Sequence, residues 1–216
     1  MSDQSYPGVA PLSAFTNDFN RTQFHISQLI NQIVTMTLVK VVAVHVSGLT
    51  LGTVDVQPLV SQVDGSGQPV LHGVIYGLPY LRFQAGSWAI IIDPQVGDIG
   101  VCGFCMRDIS KVKATLDVAL PGSMRTYDWG DGVYFGACLS NTAPTQYIQN
   151  TSGGINIVTT ATVSVTAGTA TVTANKVDLL SNNVNLGAEG GAAVARVGDT
   201  VAGGVITSGS SKVKCA

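Results

Sequence analysis

The spacing of apolar residues changes twice along this chain, and each change marks a segment. Over residues 13–36, SAFTNDFNRTQFHISQLINQIVTM, Phe15, Phe19, Ile26, Ile30 and Ile33 recur at steps of three, four and seven, with Phe24 and Leu29 beside them. That spacing draws one stripe along an amphipathic helix, and Ser13, Thr16 and Asn17 offer capping oxygens at its start. The stripe suits a helix packed on its own domain and a helix used in oligomer contacts equally well.

From about residue 37 to 140 the period falls to two. LVKVVAVHV (38–46) and LTLGTVDVQPLV (49–60) alternate around Ser47-Gly48, a hairpin signal. GVIYGLPYLRF (73–83), SWAIIIDPQVGDIGVCGFC (87–105) and GVYFGACL (132–139) follow, separated by breaks such as Asp64-Gly65-Ser66-Gly67 and Asp93-Pro94. About five strands with regularly spaced turns predict a small barrel such as an OB-fold, with an immunoglobulin-like sandwich as the rival.

A third pattern occupies GGINIVTTATVSVTAGTATVTANKVDLLSNNVNLG (153–187), where apolar pairs two residues apart recur: Ile155 and Ile157, Val163 and Val165, Ala170 and Val172, Val177 and Leu179, Val184 and Leu186. The pairs advance by 8, 7, 7 and 7 residues. A coiled coil would space its apolar residues three and four apart in good helix formers, whereas a spacing of two puts both side chains on one face of a strand. Each unit therefore reads as a strand of about five residues, roughly 16 Å long, and a short turn. Seven residues cannot close a coil of a single-chain solenoid, and two apolar residues per strand are too few for a core. Three chains winding about a common axis answer both problems, each forming one side of a triangular prism at every level. The expectation is five rungs, about 25 Å tall. Its trimer core would hold Ile155, Ile157, Val163, Val165, Val172, Val177, Leu179, Val184 and Leu186, with Ile157, Val165, Val172, Leu179 and Leu186 facing the axis.

The Gly- and Ala-rich remainder alternates again in VARVGDTV (194–201) and GVITSGSSKVKC (204–215), so an ordered, tapered tip is expected rather than a disordered tail. The expected fold is mainly β. It comprises an N-terminal arm and helix (1–36), an OB-fold barrel (37–140), an intertwined triple-stranded β-helix, or β-prism, as shaft (141–187) and an apical tip (188–216), assembled as a homotrimer.

Composition sharpens this picture. Only 11% of residues are charged and 25 are Gly, against a usual charged share of about 25%. Much of the polar but uncharged surface is therefore expected to lie against other subunits. A net charge of −2 gives no footprint for nucleic acid, and no nucleic-acid partner is expected. No apolar run is long enough to span a bilayer and MSDQSYPGVAPLSAF lacks the parts of a signal peptide, so the chain is expected to be made in a cytoplasm and to stay soluble there. The cysteines suit that compartment: Cys102 and Cys105 form a lone C-x-x-C, and Cys138 and Cys215 stand apart. They read as small packed residues more readily than as a zinc site.

Catalytic chemistry is not apparent in the residue pattern. His25, His45 and His72 have no metal spacing, no G-x-S-x-G elbow occurs, and Gly187 to Gly191 lacks a phosphate-loop lysine. The strongest carboxylate cluster, Asp93, Asp98 and Asp108, suits turn and cap roles better than glycoside hydrolysis. No enzyme activity and no cofactor are expected.

In its order of parts the chain resembles the central spike, or membrane-puncturing protein, of the baseplate of contractile-tailed bacteriophages. The most specific match is VDVQPLV (54–60), GVIYGLPYLRF and then DPQVGDIGVCGFCMRDIS (93–110), which is similar to that family's OB-domain run ending in a Pro-x-x-Gly-Asp-x-Gly strand turn and an Arg-Asp pair. RTYDWGDGVYFGACL (125–139) is similar to its last barrel strand. The related spikes of tailocins and type VI secretion share this architecture. Two features depart from the family: the frequent terminal His-x-His that binds an axial iron is missing, and ARVGDTVAGGVITSGSSKVKC (195–215) resembles the opening of a PAAR-type tip domain without its metal-binding histidines. No metal is therefore expected, Cys215 from three chains being the single apical candidate and a reduced, frayed terminus its simpler reading. The resemblance implies a structural protein of the virion tail baseplate, assembled in the host cytoplasm. It would attach to a tail hub protein, meet the host outer membrane transiently as it pierces it, and could carry a separate tip protein. The alternative is a trimeric fibre or adhesin whose barrel recognises a surface glycan. Its candidates are Tyr76, Tyr80, Trp88 and Trp129, each of which also suits packing in a barrel core or trimer interface.

Overall fold

The computed structural model describes residues 10–46, 48–49, 51–64, 66–140, 142–186, 192–193, 199–202, 205–209 and 213–215. The described part is mainly β, and the chain divides into two compact units, Met1–Val158 and Thr159–Ala216. Ser47 of the expected hairpin turn and the Gly187–Gly191 stretch lie outside the described residues.

The N-terminal helix is shorter than its apolar stripe. Helix α1 spans Asp18–Asn31 because Asn17, in extended conformation, is its N-cap and accepts a hydrogen bond from the Asn20 amide at 2.8 Å. Upstream, Leu12–Phe15 form a 3-10 turn, and the Ser13 carbonyl accepts the Thr16 hydroxyl at 2.6 Å instead of Ser13 capping the helix. No side chain of α1 is buried.

Period-two alternation then builds the first unit. Strands β1 (Met36–His45) and β2 (Thr53–Pro58) form an antiparallel hairpin, with Gly48 at a positive φ of 57° in the turn. Two minimal strands, β3 (Gln62–Val63) and β4 (Pro69–Val70), pair around Asp64, whose carboxylate accepts the Ser66 and Gln68 amides at 2.9 and 2.8 Å. After β5 (Ile75–Pro79), the hairpin of β6 (Phe83–Ala85) and β7 (Trp88–Ile90) breaks what the sequence offers as two longer strands. The chain turns again before β8 (Ile99–Phe104), at Gly97 with φ of 102°, where Asp98 accepts the Gln95 amide at 2.8 Å. An irregular connection containing the short helix α2 (Ser110–Thr115) leads to β9 (Gly132–Leu139).

Five of the strands form one sheet in the order β5-β2-β1-β8-β9, with every neighbour antiparallel. An isolated parallel bridge joins Tyr80, just past β5, to Tyr134 in β9, and the Leu81 amide donates to the Tyr134 carbonyl at 2.8 Å. One face of this sheet holds the core: Val39 and Val41, Val54 and Val56, Leu78, Tyr80, Cys102 and Tyr134 are all buried, with Phe104 and Trp129 at its margin. Alternate positions such as Lys40, Val42 and Tyr76 are exposed, while Asp55 between Val54 and Val56 is buried.

The first unit ends in a further hairpin, β10 (Tyr147–Thr151) with β11 (Gly154–Val158), all of whose side chains are exposed. The described strands of the second unit are β12 (Val184–Leu186), β13 (Ala192–Ala193), β14 (Val201–Ala202), β15 (Val205–Ile206) and β16 (Val213–Cys215). Strand β16 lies between β12, parallel to it, and β13, antiparallel to it. Residues 213–215 are therefore the middle strand of a small sheet, not the frayed end that sequence suggests, because their backbone finds partners far away in the chain.

Candidate functional site

The site with the clearest design is the repeat itself. Residues 160–183 run without a strand partner among the described residues. The backbone bends at Thr160-Ala161, Gly168, Asn175 and Asn182, so from Ala161 onward the bends advance in steps of seven. Each apolar pair sits two and four residues past a bend: Val163 and Val165 after Ala161, Ala170 and Val172 after Gly168, Val177 and Leu179 after Asn175, Val184 and Leu186 after Asn182.

Hydroxyl groups close the bends at both ends. Thr159 Oγ1 accepts the Ala161 amide at 3.0 Å, and Ser181 Oγ accepts the Asn183 amide at 3.1 Å while donating to the Asn183 carbonyl at 2.6 Å. The one ion pair in this stretch, Lys176 Nζ to Asp178 Oδ2 at 2.8 Å, is exposed; such surface pairs contribute little.

Of the residues expected in a trimer core, Val165 and Val172 are each 78% exposed, and Val163, Val177 and Leu179 are exposed as well. Val184 is half-buried, while the side chain of Leu186 lies outside the described part. Ile155 and Ile157 are exposed on β11, but that strand is paired with β10 of the same chain. The sequence reading gives this pair as the first rung of the prism. The two-residue loop Ser152-Gly153, with Gly154 at φ of 129° and Thr151 Oγ1 accepting the Gly153 amide at 3.2 Å, brings β11 alongside Tyr147–Thr151.

Polar clusters in the first unit act as clasps. Arg125 donates to both oxygens of buried Asp131, at 2.7 and 2.8 Å, and lies 3.2 Å from buried Asp108. Asp108 also accepts the Ser110 amide at 2.8 Å and the Ser123 hydroxyl at 2.7 Å. The Ser110 bonds, with Ser123 and Arg125, hold the Asp108 carboxyl well below the usual carboxylate range. Arg125 does the same for Asp131 against the opposing effect of burial. The cluster ties both ends of the long connection to the start of β9.

A second clasp joins the Tyr80 hydroxyl to Asp93, with Arg82 Nη2 donating to Asp93 at 2.8 Å. In a third, His45 Nε2 meets Asp55 Oδ2 at 2.9 Å, and Asp55 Oδ1 accepts the Gly77 amide at 2.8 Å. Burial opposes ionisation of Asp55, but the bonds from His45 and Gly77 prevail and its carboxyl lies below normal.

The predicted carboxylate cluster is thus dispersed: Asp93 serves Tyr80 and Arg82, Asp98 a turn, and Asp108 the Arg125 clasp. Cys102 is fully buried, and burial pushes its thiol up to about 12; Cys105 is half-buried and Cys138 exposed. The His72 ring lies 4.5 Å from Trp129, which also packs edge-on against Phe104 at 4.9 Å. Among the described residues no group of three His, Cys, Asp or Glu side chains converges on a metal position. The thiol of Cys215 lies outside the described part.

Of the four aromatic candidates for ligand binding, Tyr80 is in the core and Trp129 at its edge, whereas Tyr76 and Trp88 are exposed. Trp88 stands on the β6–β7 hairpin with exposed Phe83 and Ile90, and these line a shallow groove of about 480 Å³ with Arg82 and Gln84. Sequence reading misses this hairpin because its residues continue the apolar runs on either side; the signal that could have separated it is Ala85-Gly86-Ser87, with Gly86 at φ of 58°.

Compared with protein-family models and with curated proteins, the chain matches none.

Proposed function

We propose that the chain is a structural, non-enzymatic protein: a homotrimeric central spike that attaches to a tail hub in a virion baseplate and is driven through the host outer membrane when a contractile tail shortens. The observation that carries this reading is the stretch 160–183, with bends every seven residues, exposed apolar pairs and no strand partner among the described residues. An isolated chain in that state leaves most of this backbone without a neighbouring strand, beside unburied valines. Two further copies, winding about the same axis, supply the neighbouring strands and enclose the valines at every level.

The β5-β2-β1-β8-β9 order, with its edge strands bridged in parallel at Tyr80 and Tyr134, supports reading the first unit as an OB-type barrel. Its place in the spike is the end that meets the hub. Stiffness is the working property: an intertwined prism unwinds only by separating three strands at each rung, which resists force and proteolysis. With two charges between residues 153 and 187, Lys176 and Asp178, the shaft also meets a low electrostatic barrier in hydrocarbon. A separate tip protein and the hub are the expected partners, and no cofactor takes part.

Sedimentation mass, combined with electrophoresis in SDS at room temperature, tests the proposal. The expected result is a three-chain species that stays one band until boiled. A chain that sediments as a monomer overturns it.

A second reading has one observation in its favour: the exposed Trp88 groove would suit stacking on a sugar ring. In that case the chain is a trimeric binding module, and an oligosaccharide quenches Trp88 fluorescence at concentrations where a spike is indifferent.

A further inference from the structure

We propose that α1 is a self-association helix that docks side by side, in parallel, on α1 of other copies of this chain. The proposal rests on the reading of the chain as a homo-oligomer and assigns it a second holding point besides the repeat.

The argument starts from the helix's isolation. A helix of 14 residues is marginal in water unless a face of it is covered, and α1 has that length with no buried side chain. Yet its large apolar residues are not scattered. Within α1, Phe19, Thr22, Ile26 and Leu29 follow one another at steps of three, four and three. That is the alternating seam of a coiled coil, narrower than the stripe of a helix lying on a sheet. The polar member fits: the Thr22 hydroxyl donates to the Asp18 carbonyl at 2.8 Å, which leaves its methyl for the seam.

The large seam side chains of α1 are open, from 51% at Ile26 to 75% at Phe19. An aromatic side chain covers on the order of 150–250 Å² when buried, so Phe19 with Ile26 and Leu29 offers a few hundred Å² per chain. That is a substantial part of the roughly 800 Å² per partner of stable interfaces, and the proposed shaft supplies the rest of the assembly contact.

Charge is compatible with an identical partner. In parallel register the flanking positions bring Asp18 beside Gln23, and His25 beside Ile30, of the next copy, so no like charges meet. Ile30, 59% exposed, widens the contact on that side. A seam with heptad spacing and no self-repulsion at its flanks suits a second copy of the same helix.

Cross-linking of the full chain tests this. With Cys105, Cys138 and Cys215 replaced by serine and buried Cys102 retained, Ile26→Cys places a thiol in the seam and Asn31→Cys places one on the opposite face. Treated with a short bismaleimide, Ile26→Cys is expected to give about tenfold more two-chain product than Asn31→Cys, as seam positions approach and outer ones diverge. Equal yields at the two positions overturn the proposal. So does a low yield at Ile26 in a protein that sediments as a trimer, which leaves the spike reading standing. High yield in a protein that sediments as a dimer supports the helix and overturns the trimer, and a monomer overturns both.

Discussion

The five-stranded sheet and the stretch 160–183 share an abundance of valine but not their self-sufficiency. In the sheet, Val39, Val41, Val54 and Val56 are fully buried, and each strand's backbone is paired within the chain. In the stretch, Val165 and Val172 stand 78% exposed and the backbone has no strand partner. The difference lies in period and turn. Strands of five to ten residues, joined by a hairpin and by longer connections, return the chain to itself and accumulate a two-sided contact, whereas a bend every seven residues carries the chain onward before it can fold back. A β-rich sequence thus specifies its own partner or someone else's according to where it turns.

The largest effect should come from making the two regions fail separately. Val165→Asp, Val172→Asp and Leu179→Asp together place three charges per chain where the proposed axis lies, and an unpaired charge in an apolar interior is strongly unfavourable. The expected result is loss of the SDS-resistant band with no change in the thermal transition of the sheet. Ser164→Asp and Thr171→Asp, at the alternate positions, leave the band intact. Leu78→Ala does the reverse, lowering the sheet's stability by about 2–5 kcal/mol while the band persists. If the triple variant keeps its resistance to SDS, the stretch is not the axis of assembly and the comparison breaks.

What was legible in the chain follows the same division. Strand β9 could be read residue for residue from GVYFGACL, and the β1–β2 hairpin from its alternation around a turn, because local period and turn chemistry decide them. The seven-residue step is likewise a local property, and the bends fall where the apolar pairs place them. Features that depend on distant partners were not legible. The Arg125 clasp joins Asp108 and Asp131 from an irregular connection, and no spacing rule announces it. Strand β16 is ordered by β12, which precedes it by 29 residues at the Leu186–Cys215 pair. The start of α1 was legible only as a choice: Ser13, Thr16 and Asn17 all offer capping oxygens, and only geometry chooses Asn17.

Acid gives a second, intermediate test, because the ionised clasp belongs to one region only. Asp108 and Asp131 have carboxyls held below their ordinary range when folded, against about 3.9 when unfolded. A depressed carboxyl contributes its stability in full above the unfolded value and loses it as pH falls toward the folded one. The denaturation midpoint of the sheet is therefore expected to be level from about pH 8 to 5 and to decline below about pH 4. Arg125→Met removes the counter-charge from two buried carboxyls, lowering the midpoint at pH 7 and shrinking the acid decline. The stretch 160–183 has a single carboxylate, Asp178, so the SDS-resistant band should not change over the same range. A band that disappears along with the sheet's midpoint would tie the two regions together electrostatically and contradict their independence.

The smallest effect probes how completely the sheet closes on itself. Tyr134 is fully buried, its hydroxyl has no hydrogen-bond partner among the described residues, and burial pushes its ionisation up to about 12. The ring is held where a side chain on Gly100 would collide with the Gly136 carbonyl and the Tyr134 hydroxyl itself. Removing that hydroxyl with Tyr134→Phe discards an unmet donor and keeps the packing, so stability should rise or stay within about 1 kcal/mol. Gly100→Ala, in the same place, should cost more than the tyrosine change, since neither backbone strand can move aside. At the Gly168 bend an added methyl meets nothing within 4 Å in the single chain. A loss of SDS resistance in Gly168→Ala, set beside a silent Tyr134→Phe, would locate the missing wall of that bend in another copy of the protein.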